Sequence, residues 1–277
     1  MNDTALLQNN SATFGAACAA IEEVLPHFAD VVRRNPGVTA KAIGSWDLSQ
    51  VACHVSHVIE KDTDALLRTP LPYVELSPAA VGVMTNQMLA EDTERDVKVL
   101  ADRIIALGAR FLALKANPPT EPVTWIGGTQ LPPHAVACHL LEELLVHGHD
   151  VAQAAQTRWS IEPAHAALAI TGAAVPIIGG SPASWVRRGA NPQLKARLET
   201  RLRGFDRFVL EFDNGLHVEY PPANKRADAY LSADPAALLL VMLGRQSHWH
   251  ALARGKVLAW GRRPKALLTV LHNITPP

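Results

Sequence analysis

Three residues carry most of the chemistry that this chain can do. Glu143 and His147 stand four apart in His139-Leu140-Leu141-Glu142-Glu143-Leu144-Leu145-Val146-His147-Gly148-His149-Asp150. On a helix that spacing puts both side chains on one face, within reach of a single bound ion. His54 lies far upstream in a second helix-like run, Asp47-Leu48-Ser49-Gln50-Val51-Ala52-Cys53-His54-Val55-Ser56-His57. Packed against each other, the two runs supply two imidazoles and one carboxylate. That donor set suits Zn, and equally Fe, Ni or Mn. Three protein ligands leave a position open. Water bound there is activated for hydrolysis, and a thiol bound there is held as thiolate.

A Glu–His pair at this spacing also arises by chance in many helices, so its surroundings decide. The pair lies on an otherwise apolar face, where an unpaired carboxylate is costly to bury. His54 sits on the apolar face of a helix with a clear start. Asp150 falls near Glu143 on the helical wheel and is placed to support a ligand. The neighbouring histidines have plainer readings. His149 points nearly opposite His147. His139, one turn before Glu143, and His57, one turn after His54, read as satisfied polar residues at the rim. Cys53 and Cys138 adjoin histidines but are turned about 100° from them, and read as small buried apolar residues.

The elements that must position these groups follow from periodicity and caps. Asp47 caps a helix whose Gln50 closes a capping box, with Trp46 placed to staple against Val51. Helices are expected over about 11–34, 47–68, 90–116 and 133–156, with an irregular proline-rich stretch at 70–82 and a loop at 125–129. Four such helices predict an antiparallel bundle, which builds metal sites from facing side chains. Beyond residue 160 a small-residue helix spans about 166–178, and prolines, glycines and arginines suggest connecting structure up to about 204. Strands then alternate on either side of Asp213-Asn214-Gly215, a strong hairpin turn. A strand at 229–231, a helix started by Asp234-Pro235 and ended by Gly244, a strand at 256–260 and a helix at 264–271 complete the chain. The expected fold class is α plus α+β: a four-helix bundle over 1–160, a connecting segment over 161–205 and a smaller α+β domain over 206–277.

Lys+Arg and Asp+Glu number 26 each, a balance that argues against a general nucleic-acid binder. The three cysteines show no C-x-x-C spacing, which suits a reducing compartment. Met1-Asn2-Asp3-Thr4 lacks the basic start of a signal peptide, and the apolar run from Ala166 to Gly180 is interrupted by Pro176 and short for a membrane span. A cytoplasmic monomer or homodimer, with no membrane or nucleic-acid partner, is the expectation.

Trp46-Asp47-Leu48, Val51-Ala52-Cys53-His54 and Glu143-Leu144-Leu145-Val146-His147-Gly148-His149-Asp150 together resemble the mycothiol-dependent maleylpyruvate isomerase family, within the wider DinB-like group of metal-binding bundles. The resemblance puts His54, Glu143 and His147 on the metal positions of that family. His149 departs from it, standing where an aromatic residue is common. Ala229-Tyr230-Leu231-Ser232-Ala233-Asp234-Pro235, Leu243-Gly244-Arg245 and Arg254-Gly255-Lys256-Val257-Leu258-Ala259-Trp260-Gly261 resemble a sterol-carrier-protein-like domain, which many members carry after the bundle.

The resemblance implies a divalent metal, Zn first, and mycothiol as thiol cosubstrate. It implies an S-transferase or isomerase acting on a small electrophile through a metal-bound thiolate. It also implies a C-terminal arginine that meets an anionic substrate, for which Arg245 is the candidate. Two other readings compete: metal-assisted hydrolysis without a thiol, and a non-enzymatic protein whose Leu238–Leu243 and Leu267–Leu271 segments line a cavity for an apolar ligand or regulate a partner.

Overall fold

Residues 3–71, 75–191 and 193–274 are described by the structure, a computed structural model. Contacts divide the chain into two units, residues 1–75 with 79–161 and residues 162–277 with 76–78.

The first unit is helical. α1 runs over Asp3–Arg34 and passes through Pro26 without ending there. A short ribbon of β1 (Lys41–Ile43) and β2 (Trp46–Asp47) leads into α2 (Leu48–Leu66). α3 (Pro78–Glu91) and α4 (Val97–Leu112) follow, then the two-stranded ribbon of β3 (Val123–Thr124) and β4 (Gln130–Leu131), then α5 (Pro133–Ala154). α1 and α2 each pack on both α4 and α5 and only marginally on each other, so these four form the bundle. Its centre is fully buried: Phe14, Ile21 and Phe28 from α1, Val51, Val55 and Ile59 from α2, Leu100, Ile104 and Phe111 from α4, and Leu140, Leu141 and Leu144 from α5. This is the apolar face that the helical periodicity requires.

Two expectations change here. The stretch 70–82 becomes helical from Pro78, a residue tolerated in a first helical turn because its missing N–H has no partner there anyway; residues 72–74 lie outside the described residues. The single helix expected over 90–116 is broken at 92–96. Arg95 there donates to the carbonyls of Leu89 and Asp92, and Asp96 accepts from Lys98 N at 2.8 Å to start α4 afresh. Charged side chains that bond nearby backbone groups compete with helix continuation.

The second unit is α+β. α6 (Pro163–Ala169) and α7 (Val175–Gly180) are joined through a π turn at Ile170–Ala174. Pro176, which has no N–H to donate, falls just after that widened turn. Among the described residues only Pro163–Gly180 is long and apolar enough to span a membrane; half of it is buried inside the protein, and it packs on other elements of its unit as a core helix does.

Five strands form one sheet in the order β7-β6-β5-β8-β9: β5 (Ala196–Leu202), β6 (Arg207–Phe212), β7 (Leu216–Glu219), β8 (Ala229–Ala233) and β9 (Val257–Gly261). β5 and β8 are parallel and every other pair antiparallel. The β6–β7 hairpin turns at Asn214 and Gly215, whose φ values of 55° and 128° are those an Asn-Gly turn accepts without strain. α8 (Pro235–Met242), capped by Asp234, and α9 (His248–Ala253) connect β8 to β9, and α10 (Pro264–Asn273) packs on β5, β8 and β9.

One sheet face is apolar, with Leu198, Leu202, Phe208, Phe212 and Leu231 buried. The other carries the buried Arg197, whose guanidinium bonds Glu211 at 2.5 Å and Glu219 at 2.6 Å. The segment 161–205, expected as a connection with a small-residue helix at about 166–178, supplies α6 and α7 there and also β5, where connecting structure was expected. The second unit therefore starts at Glu162, and its central strand lies upstream of residue 206. Arginine and glutamate at alternate positions of β5 disguised a buried strand as surface.

Candidate metal centre

The phase of α2 is set at its start. Asp47 Oδ1 accepts from Gln50 N at 3.1 Å and Gln50 Oε1 accepts from Asp47 N at 3.0 Å, a complete capping box. That start turns His54, two turns in, towards α5. The Trp46 ring, expected against Val51, lies 5.3 Å from the His54 ring, and its indole N–H donates to Asn86 at 3.1 Å.

His54 Nε2 and His147 Nε2 both approach one oxygen, Glu143 Oε2, at 3.2 and 3.3 Å. The two rings meet edge to face with centroids 4.9 Å apart. Donor atoms of the three residues all lie within 4.8 Å of one another, although His54 is 89 positions from Glu143. Side-chain exposures of 14%, 22% and 7% for His54, Glu143 and His147 leave the cluster reachable from solvent but largely dry. The structure thus brings together all three residues singled out by type and spacing.

Asp150 Oδ2 lies 3.0 Å from His147 Nδ1 and is itself buried. A carboxylate behind a ring fixes its orientation and leaves the other nitrogen to face the cluster. His139 stands one turn before Glu143, with Nε2 3.6 Å from Glu143 Oε1 and Nδ1 2.7 Å from Asp62 Oδ2. His149 lies outside the cluster, its Nε2 3.0 Å from Gln153. Arg245 belongs to the second unit, in the turn after α8, where its guanidinium donates to the Leu243 carbonyl at 2.5 Å.

Charge follows this geometry. Burial lowers the pKa of His54, outweighing the hydrogen bond to Glu143 that raises it, and so favours a neutral ring with a lone pair to give. Burial also opposes charge on His147, but hydrogen bonds to Asp150 and Glu143 prevail and raise it to about 9. Against its own burial, Glu143 is held well below the usual carboxylate range by the hydrogen bonds of His147 and His54. A carboxylate with imidazoles gathered on one oxygen is a place where positive charge is stabilised. Two imidazoles and a carboxylate converging on one point, one imidazole backed by a second carboxylate, fit a divalent cation with an open position.

A second group, Cys53, His57 and Asp92, does not fit one. His57 Nε2 and Arg103 Nη1 already meet Asp92 Oδ2 at 2.9 and 2.5 Å, so a guanidinium sits where a cation would go. The Cys53 thiol is pushed up to about 11, chiefly by burial, which makes it neither ligand nor nucleophile at neutral pH.

Sequence reasoning passed over Asp62 and Trp125. Asp62 Oδ1 accepts from the Trp125 indole at 3.0 Å. A signal was present: Asp62 continues the stripe Val51, Val55, Ile59 of α2, and a carboxylate in an apolar stripe requires a partner.

Gly148, next to His147, has a packing reason. A Cβ there would lie 2.0 Å from the Trp159 ring, which stacks on His27 and donates to Leu145 O at 3.0 Å. Gly148→Ala is expected to destabilise the first unit by about 1–3 kcal/mol, as overpacking does. Thermal melts should show the loss shrinking when Trp159 is also truncated, since neighbours in contact are not additive. Asp150→Asn is expected to weaken cation affinity about 10- to 100-fold, the usual effect of losing the partner behind a ligating histidine; a chelator competition titration measures it.

The mycothiol maleylpyruvate isomerase N-terminal domain family matches residues 19–152. No curated protein matches the chain by sequence. Among solved structures, the crystal structure of the mycothiol-dependent maleylpyruvate isomerase is similar at 15% identity and a TM-score of 0.51, covering 87% of this chain and 90% of the other. A His-to-Ala mutant of that isomerase is similar at 15% identity and a TM-score of 0.52, covering 91% and 92%. At that identity the likeness is one of fold, and it extends over both units. The matched stretch, residues 19–152, holds all three residues of the cluster, so the similarity to the mycothiol maleylpyruvate isomerase N-terminal domain family falls on the part of the chain that carries the site.

Proposed function

We propose that the protein is a metal-dependent, mycothiol-using isomerase or S-transferase acting on a small electrophile. The observation that carries this reading is the convergence of His54, Glu143 and His147 within 4.8 Å, inside the matched family domain. A divalent cation, Zn first among candidates, would supply there the positive charge that keeps a thiol ionised near neutral pH.

The chain's own residues do the rest. His54, neutral by burial, gives a lone pair from Nε2. His147 gives up its proton on loading, and Asp150 keeps its ring aligned as it does so. Glu143 offsets the charge.

A free thiol with a pKa of about 8.5 is only a few per cent ionised at pH 7, so full ionisation gains some tens-fold, about 2 kcal/mol. The larger part of any acceleration must come from placing the electrophile. Arg245 is the residue proposed to meet an anionic group, because a guanidinium offers a carboxylate two parallel donors.

The test is elemental analysis combined with a mycothiol titration of the cobalt-substituted protein. Stoichiometric metal and a sulfur-to-cobalt charge-transfer band at saturating mycothiol are expected. Turnover without any thiol, or an unchanged spectrum, would reject the thiol role and leave hydrolysis as the reading.

A further inference from the structure

The two oxygens of Glu143 have different neighbours. Oε2 faces His54 and His147 at 3.2 and 3.3 Å, whereas Oε1 faces only His139 among the residues described above, at 3.6 Å. His139 is held from behind. Its Nδ1 lies 2.7 Å from Asp62 Oδ2, and its ring meets the Trp125 ring edge to face at 4.8 Å. Asp62 is 1% exposed, and its second oxygen accepts from the same Trp125 at 3.0 Å. A chain of contacts therefore runs from Trp125, before β4, through Asp62 on α2, to His139 and Glu143 on α5.

As a device for stability alone this chain is poorly chosen. A buried carboxylate–imidazole pair must recover a large desolvation cost, and apolar residues of similar volume do as well or better. The arrangement makes more sense as orientation. Both oxygens of Asp62 are committed, one ring nitrogen of His139 is committed to Asp62, and the remaining ring nitrogen is aimed at Glu143 Oε1. Trp125 touches both Asp62 and His139, so neither can turn without the other.

We propose that Asp62, His139 and Trp125 are positioning residues for Glu143. They hold Oε1 away from the cluster so that Glu143 offers the cation one oxygen rather than two. This rests on the cation-binding reading of the cluster and adds what keeps a position open. With one oxygen from Glu143 and two imidazoles there are three donors, and the fourth place of a tetrahedron is left for a thiol. A second oxygen from Glu143 would fill it. The chain thus sets thiol access from a distance, without touching cation or thiol.

The test uses the full-length protein loaded with Co²⁺, whose visible absorption is intense in four-coordinate sites and weak in five- or six-coordinate ones. Asp62→Asn and His139→Gln are expected to lower that intensity and to weaken mycothiol binding about 10- to 100-fold, the range seen for partners of metal ligands. Trp125→Phe keeps the ring and removes one donor. It guards against misfolding of the other two and should shift both readouts in the same direction by less. Circular dichroism melts identify the folded variants.

Folded variants with wild-type intensity and wild-type thiol affinity would overturn the positioning role while leaving the metal centre standing. A wild-type protein that takes up no cobalt would overturn both. If cobalt binds but mycothiol leaves its spectrum unchanged, the intensity comparison still decides whether Glu143 is held to one oxygen.

Discussion

Replacing His54, Glu143 or His147 by alanine is expected, in each case, to abolish stoichiometric binding of a divalent cation. A three-donor site has no ligand to spare, because strict geometry and ligand count set its affinity. The three side chains come from two helices of the bundle and meet at one carboxylate oxygen, so each removal leaves only two donors. His149→Ala should keep full occupancy, since that ring lies outside the cluster beside Gln153. Elemental analysis after dialysis, with circular dichroism to confirm folding, gives the answer. Loss of metal from His149→Ala with retention in His147→Ala would show that the register of α5 is misread.

Cation affinity is expected to climb steeply with pH up to about 9. His147 has its pKa raised to about 9, so below that pH its ring carries a proton that a cation must displace. Each pH unit below 9 then costs about tenfold in apparent affinity, roughly a thousandfold between pH 9 and pH 6. His54, whose pKa burial lowers, competes with the cation for a proton less than an ordinary histidine does.

The cation-free protein should move the other way. His147 and His139 have folded-state pKa values of about 9 against an ordinary 6.5. Their contribution to stability is fully present below 6.5 and is lost as pH rises through 9, because the folded state binds more protons than the unfolded one there. Melting temperatures of stripped protein should fall across that interval while chelator-competition affinities rise. A flat affinity profile between pH 6 and 9 would mean that His147 is not the residue that yields its proton.

What could be read from the sequence was what short stretches decide by themselves. The capping box at Asp47 and Gln50, the i,i+4 pair of Glu143 and His147 and the Asn214-Gly215 turn depend on neighbours within a few positions, and all three stand as expected. What escaped depends on distant partners. Asp62 gains its meaning from His139 and Trp125, which lie 77 and 63 positions away. The local rule that places Trp46 near Val51 gave no hint that its ring also comes within 5.3 Å of the His54 ring. β5 looked like exposed connection because Arg197 and Glu199 find their partners across the sheet face, on a strand not yet formed at that point of the chain. The alternation was there, with Arg197, Glu199 and Arg201 set between Ala196, Leu198, Thr200 and Leu202, but the arginines and the nearby Gly189 and Pro192 favour a reading as connection.

The position of β5 has a practical consequence for cutting the molecule into parts. A fragment beginning at residue 206 would keep β6 with β7 and β8 with β9 but lose the strand between them. Two hairpin-like halves would each present an open edge of unsatisfied backbone groups, the usual template for unwanted association. Removing Arg197 would also leave Glu211 and Glu219, now bridged by its guanidinium, without that bridge, Glu211 keeping Lys225 beside it. Any piece meant to stand alone as the second unit must therefore start no later than Glu162, so that the first strand it makes is the one the other four are built around.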